Sequence, residues 1–210
     1  MSILVNEIFY SIQGESTYVG RPCIFVRLTG CNLRCSYCDT RYAYEDGREM
    51  KIEQIIGGVN GYECPLVEIT GGEPLLQAET PELVLGFLLR GYEVLLETNG
   101  SQDISIVDNR CMKIVDFKTP SSGMSDKNDF ANVGRLSDGD EVKFVIGNRS
   151  DYEFARAHIK DSGIALLAKC SIHFAPVFGK QDPRTLAGWI LDDRLRVRLQ
   201  VQLHKILDLP

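Results

Sequence analysis

The feature that most restricts the fold of this chain is a series of apolar runs too short to make buried helices. They lie at residues 66–69, 93–96, 112–117, 141–146 and 166–168. Runs of this length, bounded by polar and glycine-containing segments, predict strands buried on both faces, the pattern of a parallel sheet. Helical patterns alternate with them at 51–59, 81–89 and 151–159. A further helix opens at Asp182, Pro183 and Thr185 and runs to about Leu191, with Pro183 where a missing amide donor costs nothing. Residues 196–203 alternate polar and apolar side chains and predict a last strand. Near the start, two alternating runs at 3–10 and 23–28 flank a polar loop at 11–21. The expected fold is α/β, a strand-helix series with about six parallel strands and a small strand-and-loop extension at the amino end. At 210 residues it is too short for a closed eight-stranded barrel of about 250 residues, so an incomplete barrel in one domain spanning 1–210 is expected.

Composition narrows the function. Basic residues number 23 against 29 acidic, a formal charge of -6, and no basic block exceeds two residues. That leaves no continuous basic face for general nucleic-acid binding. No apolar run approaches the roughly 20 residues that span a bilayer, and the opening residues lack a basic leader pattern, so a cytoplasmic protein is expected. Seven cysteines is an odd number, and three of them fall within eight residues, which in a reducing compartment indicates metal ligation before disulfides.

Those three are Cys31, Cys35 and Cys38, at spacings of four and three. Thiolates are soft ligands suited to zinc or an iron-sulfur cluster, and a loop this short wraps one inorganic centre. A structural zinc site wants a fourth ligand at similar spacing, and a simple electron carrier saturates its iron with protein ligands. The other cysteines, Cys64, Cys111 and Cys170, lie in or beside apolar stretches suited to core filler, and Cys23 heads a strand. Three thiolates on four irons would leave one iron open.

The CNLRCSYC segment, with Tyr37 just before its last cysteine, resembles the signature of the radical S-adenosylmethionine superfamily. That resemblance implies a 4Fe-4S cluster whose open iron binds S-adenosylmethionine. Gly71, Gly72, Glu73 and Pro74, after an apolar strand, are similar to the superfamily's glycine-rich segment, which holds the methionine amino group. Within the superfamily, the opening EIFYSIQGES, then Gly20, Arg21, Pro22 and Arg27, resembles the 7-carboxy-7-deazaguanine synthase family. The likeness continues through Cys38 to Thr40, Thr70 to Pro74, Glu97 to Gly100, Asp116 to Gly123 and the QLHK tail.

The family resemblance implies radical ring contraction of 6-carboxy-5,6,7,8-tetrahydropterin to 7-carboxy-7-deazaguanine, with loss of ammonia. A 5'-deoxyadenosyl radical would begin it, in queuosine and deazapurine biosynthesis. For the pterin, Gln13, Glu15 and Arg27 supply an amide, a carboxylate and a cationic fork, with His204 on the last strand closing the far side. Tyr37, Gly71, Gly72, Glu73, Thr98, Asn99, Lys118 and Ser121 are the expected cofactor contacts, most of them at strand ends. Thr40 matches the family's magnesium-binding threonine and offers one hard oxygen. A homodimer served by a flavodoxin-like or ferredoxin-like donor is also implied. An activating enzyme for a glycyl-radical partner and a zinc-stabilised interaction module are the alternatives.

Overall fold

The computed structural model describes residues 2–161 and 170–210. Among the described residues nine strands form one mixed sheet. They are β1 (Ser2–Ile12), β2 (Pro22–Leu28), β3 (Arg48–Lys51), β4 (Leu66–Gly71), β5 (Glu93–Thr98), β6 (Met112–Phe117), β7 (Glu141–Ile146), β8 (Ser171–Pro176) and β9 (Arg198–Leu199). The order is β3-β1-β2-β4-β5-β6-β7-β8-β9. β1 runs antiparallel to both β2 and β3, and every pairing from β2 to β9 is parallel. The extension is therefore continuous with the sheet, because β2 pairs directly with β4.

Helices α1 (Ile52–Asn60), α2 (Thr80–Leu88), α3 (Arg149–Asp161) and α4 (Pro183–Asp192) connect the strands, and α5 (Leu203–Ile206) is a single turn. α1 buries Ile52, Ile55, Ile56 and Val59, a 3.6-residue stripe, into a core shared with Val67, Ile69, Leu83, Val84 and Phe87. α4 starts as its sequence predicts: the Asp182 carboxylate accepts from the Thr185 amide at 2.9 Å, with Pro183 in the first turn.

Two expectations need correcting. The alternation at 196–203 yields only the two-residue β9, because Gln200 turns inward after its amide bonds the Phe174 carbonyl at 3.0 Å. His204 consequently lies in α5 and not on a strand. The strand expected at 166–168 lies outside the described residues; the one observed in that part of the sheet is β8. Among the described residues no helix is long and apolar enough to cross a membrane.

Candidate functional site

Parallel strands pair residues that share a face, and the register brings a set of polar side chains together. Arg27 pairs with Thr70, and Asp116 with Lys143, while Glu68 and Glu97 fall on the same period-two face. A cavity of about 250 Å³ lies against this face and reaches the carboxyl ends of the strands. Open parallel sheets bind ligands at that end.

One part of the cavity belongs to the cysteine loop. Cys31, Cys35, Cys38 and Tyr37 all line it, and the three thiols are free. The loop leaves β2 where β4 ends, and the two strand ends touch through their backbones. The Glu73 amide bonds the Gly30 carbonyl at 2.7 Å, and that of Gly72 bonds the Leu28 carbonyl at 3.2 Å. A side-chain carbon at Gly72 would sit 2.2 Å from the Gly30 oxygen and 2.7 Å from Cys31 Cβ, so this approach requires glycine.

Burial pushes the Cys31 and Cys35 thiols above their ordinary pKa, which a metal must overcome by displacing their protons. Tyr37 is likewise pushed up to about 12, by burial and then by Asp116. Among the described residues no three His, Cys, Asp or Glu side chains already stand around one metal position. The donor set nevertheless fits an iron-sulfur cluster: three soft thiols on one loop open into a shared cavity. Beside them, Asp116 Oδ1 is buried without a hydrogen-bond partner, an acceptor facing space that a ligand can fill.

Several expected cofactor contacts line the same space: Gly71, Gly72, Thr98, Asn99 and Lys118. Glu73 and Ser121 are not part of the lining. The buried Glu73 carboxylate accepts from the Leu75 amide (3.0 Å), Thr98 Oγ1 (2.8 Å) and the Asn99 amide (2.6 Å), so it holds the end of β5 in place. The Ser121 amide donates to Asp151 Oδ1 at 2.8 Å and its hydroxyl to Asp151 Oδ2, tying the β6 loop to α3. Lys118 donates to Asp116 Oδ2 at 2.9 Å; burial works against its charge, yet Asp116 raises its pKa overall.

The other part of the cavity is the polar end. Arg27 gives its Nε to Glu7 at 2.8 Å and lies between the rings of Phe9 and Tyr42, 5.6 and 5.8 Å from their centres. Gln13 spends both ends of its amide on protein, donating to Glu68 and accepting from the Glu15 amide at 2.8 Å. Its side chain therefore holds the loop after β1. Glu15 accepts from Gln200 (2.8 Å), Gln202 (2.9 Å) and Lys143 (3.1 Å). His204 packs over Gly14, and burial lowers its pKa against the opposing pull of Glu15, which favours the neutral ring. Thr40 Oγ1 donates to Asp39 Oδ1 at 3.1 Å, and Asp39 pairs with Lys205.

Glu68, Lys143 and Gln200 carried no expected role, and Gln202 entered only as part of the QLHK tail. The signal was present: β4, β5, β6 and β7 carry, on the same face of largely apolar strands, the ionisable side chains Glu68, Glu97, Asp116 and Lys143. Burial, and then the charge of Glu97, raise the pKa of Glu68 well above the ordinary carboxylate value.

A three-thiol loop after β2, a double-glycine turn after β4 and polar ends on β5 and β6 define a radical S-adenosylmethionine protein, and residues 25–117 match the family model of the radical SAM superfamily. A 7-carboxy-7-deazaguanine synthase of Chlorobaculum tepidum is 49% identical over 206 residues, covering 97% of this chain and 93% of that protein. One of Koribacter versatilis is 43% identical, covering 98% and 97%. The chain belongs to the 7-carboxy-7-deazaguanine synthase family. Its fold is similar to that of QueE from Escherichia coli, with a TM-score of 0.78 at 24% identity over 97% of this chain and 95% of that one.

Proposed function

We propose that this chain contracts the ring of 6-carboxy-5,6,7,8-tetrahydropterin to 7-carboxy-7-deazaguanine, with loss of ammonia. The observation that carries the reading is the opening of the three-thiol loop and the Arg27, Glu15 and Lys143 cluster into one cavity, in a chain related over almost its full length to synthases of this product. Cys31, Cys35 and Cys38 would hold a 4Fe-4S cluster, with S-adenosylmethionine along Tyr37, Gly71, Gly72, Thr98, Asn99 and Lys118. The bound pair would supply the one-electron chemistry that starts hydrogen abstraction from the pterin.

The chain's own residues bind and orient. Arg27, whose Nε is committed to Glu7, keeps its two terminal nitrogens for the substrate carboxylate. Glu15 and neutral His204 face the ring, and Gln13 fixes the loop that carries Glu15. Thr40 gives one oxygen to a magnesium ion that arrives with the substrate carboxylate. Glu73 and Ser121 act from behind, through Thr98, Asn99 and the β6 loop. The sheet is read as an incomplete barrel with this cavity at its mouth. A flavodoxin-like or ferredoxin-like donor and a homodimer complete the reading.

The test is an anaerobic assay of the cluster-loaded chain with the pterin, S-adenosylmethionine, magnesium and reductant, following the deazaguanine chromophore. Product formation is expected. Cleavage of S-adenosylmethionine without product sinks the substrate assignment alone. A colourless protein holding zinc sinks the radical chemistry as well.

A further inference from the structure

Lys143 sits in the middle of β7, where its neighbours Val142 and Phe144 are core residues. Its side chain is 6% exposed, yet it lines the cavity. The ammonium reaches carboxylates from three separate elements. It lies 3.1 Å from Glu15 Oε2 in the loop after β1 and 3.7 Å from Asp116 Oδ2 on β6, and it donates to Glu97 on β5.

Stability does not account for such a residue. Burying an ammonium is expensive, and well-packed apolar side chains usually replace a buried ionic cluster without loss. The arrangement has a different effect. Glu15, Glu68, Glu97 and Asp116 all line one small cavity, and charges of one sign at this spacing cannot all persist unaided. Burial, and then Glu97, push the Glu68 carboxyl well above the ordinary carboxylate value. Glu15 nonetheless stays below the ordinary carboxylate value: burial works against it, and Lys143 more than compensates together with Gln202. An ionised carboxylate only accepts hydrogen bonds, whereas a protonated one donates. A heterocycle presenting several ring and exocyclic N–H groups needs acceptors.

We propose that Lys143 is the positioning residue of the substrate pocket, holding Glu15 and Glu97 as a fixed pair of acceptors for the N–H edge of the pterin. This rests on the substrate reading above and deepens it. Glu15 is fixed by Lys143 together with two tail glutamines, while Glu97 keeps 26% of its side chain exposed to the cavity. Lys143 therefore acts through two carboxylates and itself need not touch the ligand.

The test measures KM for pterin and for S-adenosylmethionine separately, on cluster-loaded full-length chain. Lys143→Met should raise the pterin KM by about tenfold or more. The KM for S-adenosylmethionine, and its slow cleavage without pterin, should stay within about twofold, which a general structural defect would not spare. Glu97→Gln and the double variant Lys143→Met/Glu97→Gln complete the cycle. In the double variant one carboxylate leaves with the ammonium, so the comparison also serves if Lys143→Met alone does not fold. Its pterin KM should lie above that of Glu97→Gln, because Glu15 has lost its ammonium too, yet well below the product of the two single effects. An unchanged pterin KM in folded Lys143→Met, or multiplying effects in the double variant, overturns the inference. A parent chain that cleaves S-adenosylmethionine but never turns over the pterin overturns the substrate reading and this inference with it.

Discussion

Glu68 is 2% exposed and shares its cavity with other carboxylates. Its folded pKa lies well above 4.5. An unfolded chain releases this proton near 4.5 while the folded chain keeps it, so the folded state binds more protons in the window between the two values. Stability then falls as pH rises through that window. Glu68→Gln imitates the protonated side chain, so its melting temperature should exceed the parent's near neutral pH, with the advantage shrinking as pH drops toward 4.5. A constant or reversed difference across the titration would show that Glu68 folds ionised. Glu141 has the opposite sign. Burial raises its pKa, but the His173 contact at 2.9 Å and Thr17 bring it below the ordinary value, so its contribution is present at neutral pH and lost in acid. Arg27 supplies the other residue-level prediction. Arg27→Ala should raise the pterin KM by about tenfold or more while cleavage of S-adenosylmethionine survives. Glu7→Ala, which frees the guanidinium without removing it, should raise it by about two- to fivefold. Loss of the cluster in Arg27→Ala would move that residue out of the pterin pocket.

At the scale of elements, the contact between the ends of β2 and β4 sets where the thiol loop begins. Gly72→Ala would push a methyl group into the Gly30 carbonyl and Cys31. The expected outcome is a folded chain with reduced iron content after reconstitution, at a stability cost of about 1–3 kcal/mol; full iron loading would show that the approach is not needed. These elements also show what a sequence can disclose. β4, β5, β6 and β7 were legible because each is an apolar run of strand length between turn residues, and the thiol loop was legible from spacing alone. β9 was not, because the alternation at 196–203 is a local pattern and Gln200 leaves the edge for a partner far away in the chain. Lys143 escaped notice for a related reason. One lysine in a largely apolar strand resembles a snorkelling side chain until the register sets it beside Asp116 and within 3.1 Å of Glu15. Gln13 lines the cavity, but only the hydrogen-bond pattern shows that its amide serves its own loop.

Across the whole molecule, the first loop and the last residues are packed into one another. The Leu203 amide bonds the Gly14 carbonyl at 2.9 Å, the Ser16 amide bonds Gln200 Oε1 at 2.8 Å, and Lys205 reaches Asp39 beside the thiol loop. A side-chain carbon at Gly14 would lie 2.0 Å from His204 Nδ1. Gly14→Ala should therefore separate the two segments, cutting pterin turnover while iron content holds; unchanged turnover would show that the tail does not shape the pocket. Glu15 and the glutamines that grip it are 185 and 187 positions apart. On the ribosome Glu15 and the ends of β4 to β7 emerge well before Gln200 and Gln202, so the Glu15 carboxylate gains its two amide donors only when synthesis is nearly finished. A translation product interrupted short of residue 200 would keep the three thiols and the Lys143 ammonium but lack the two amides that fix Glu15.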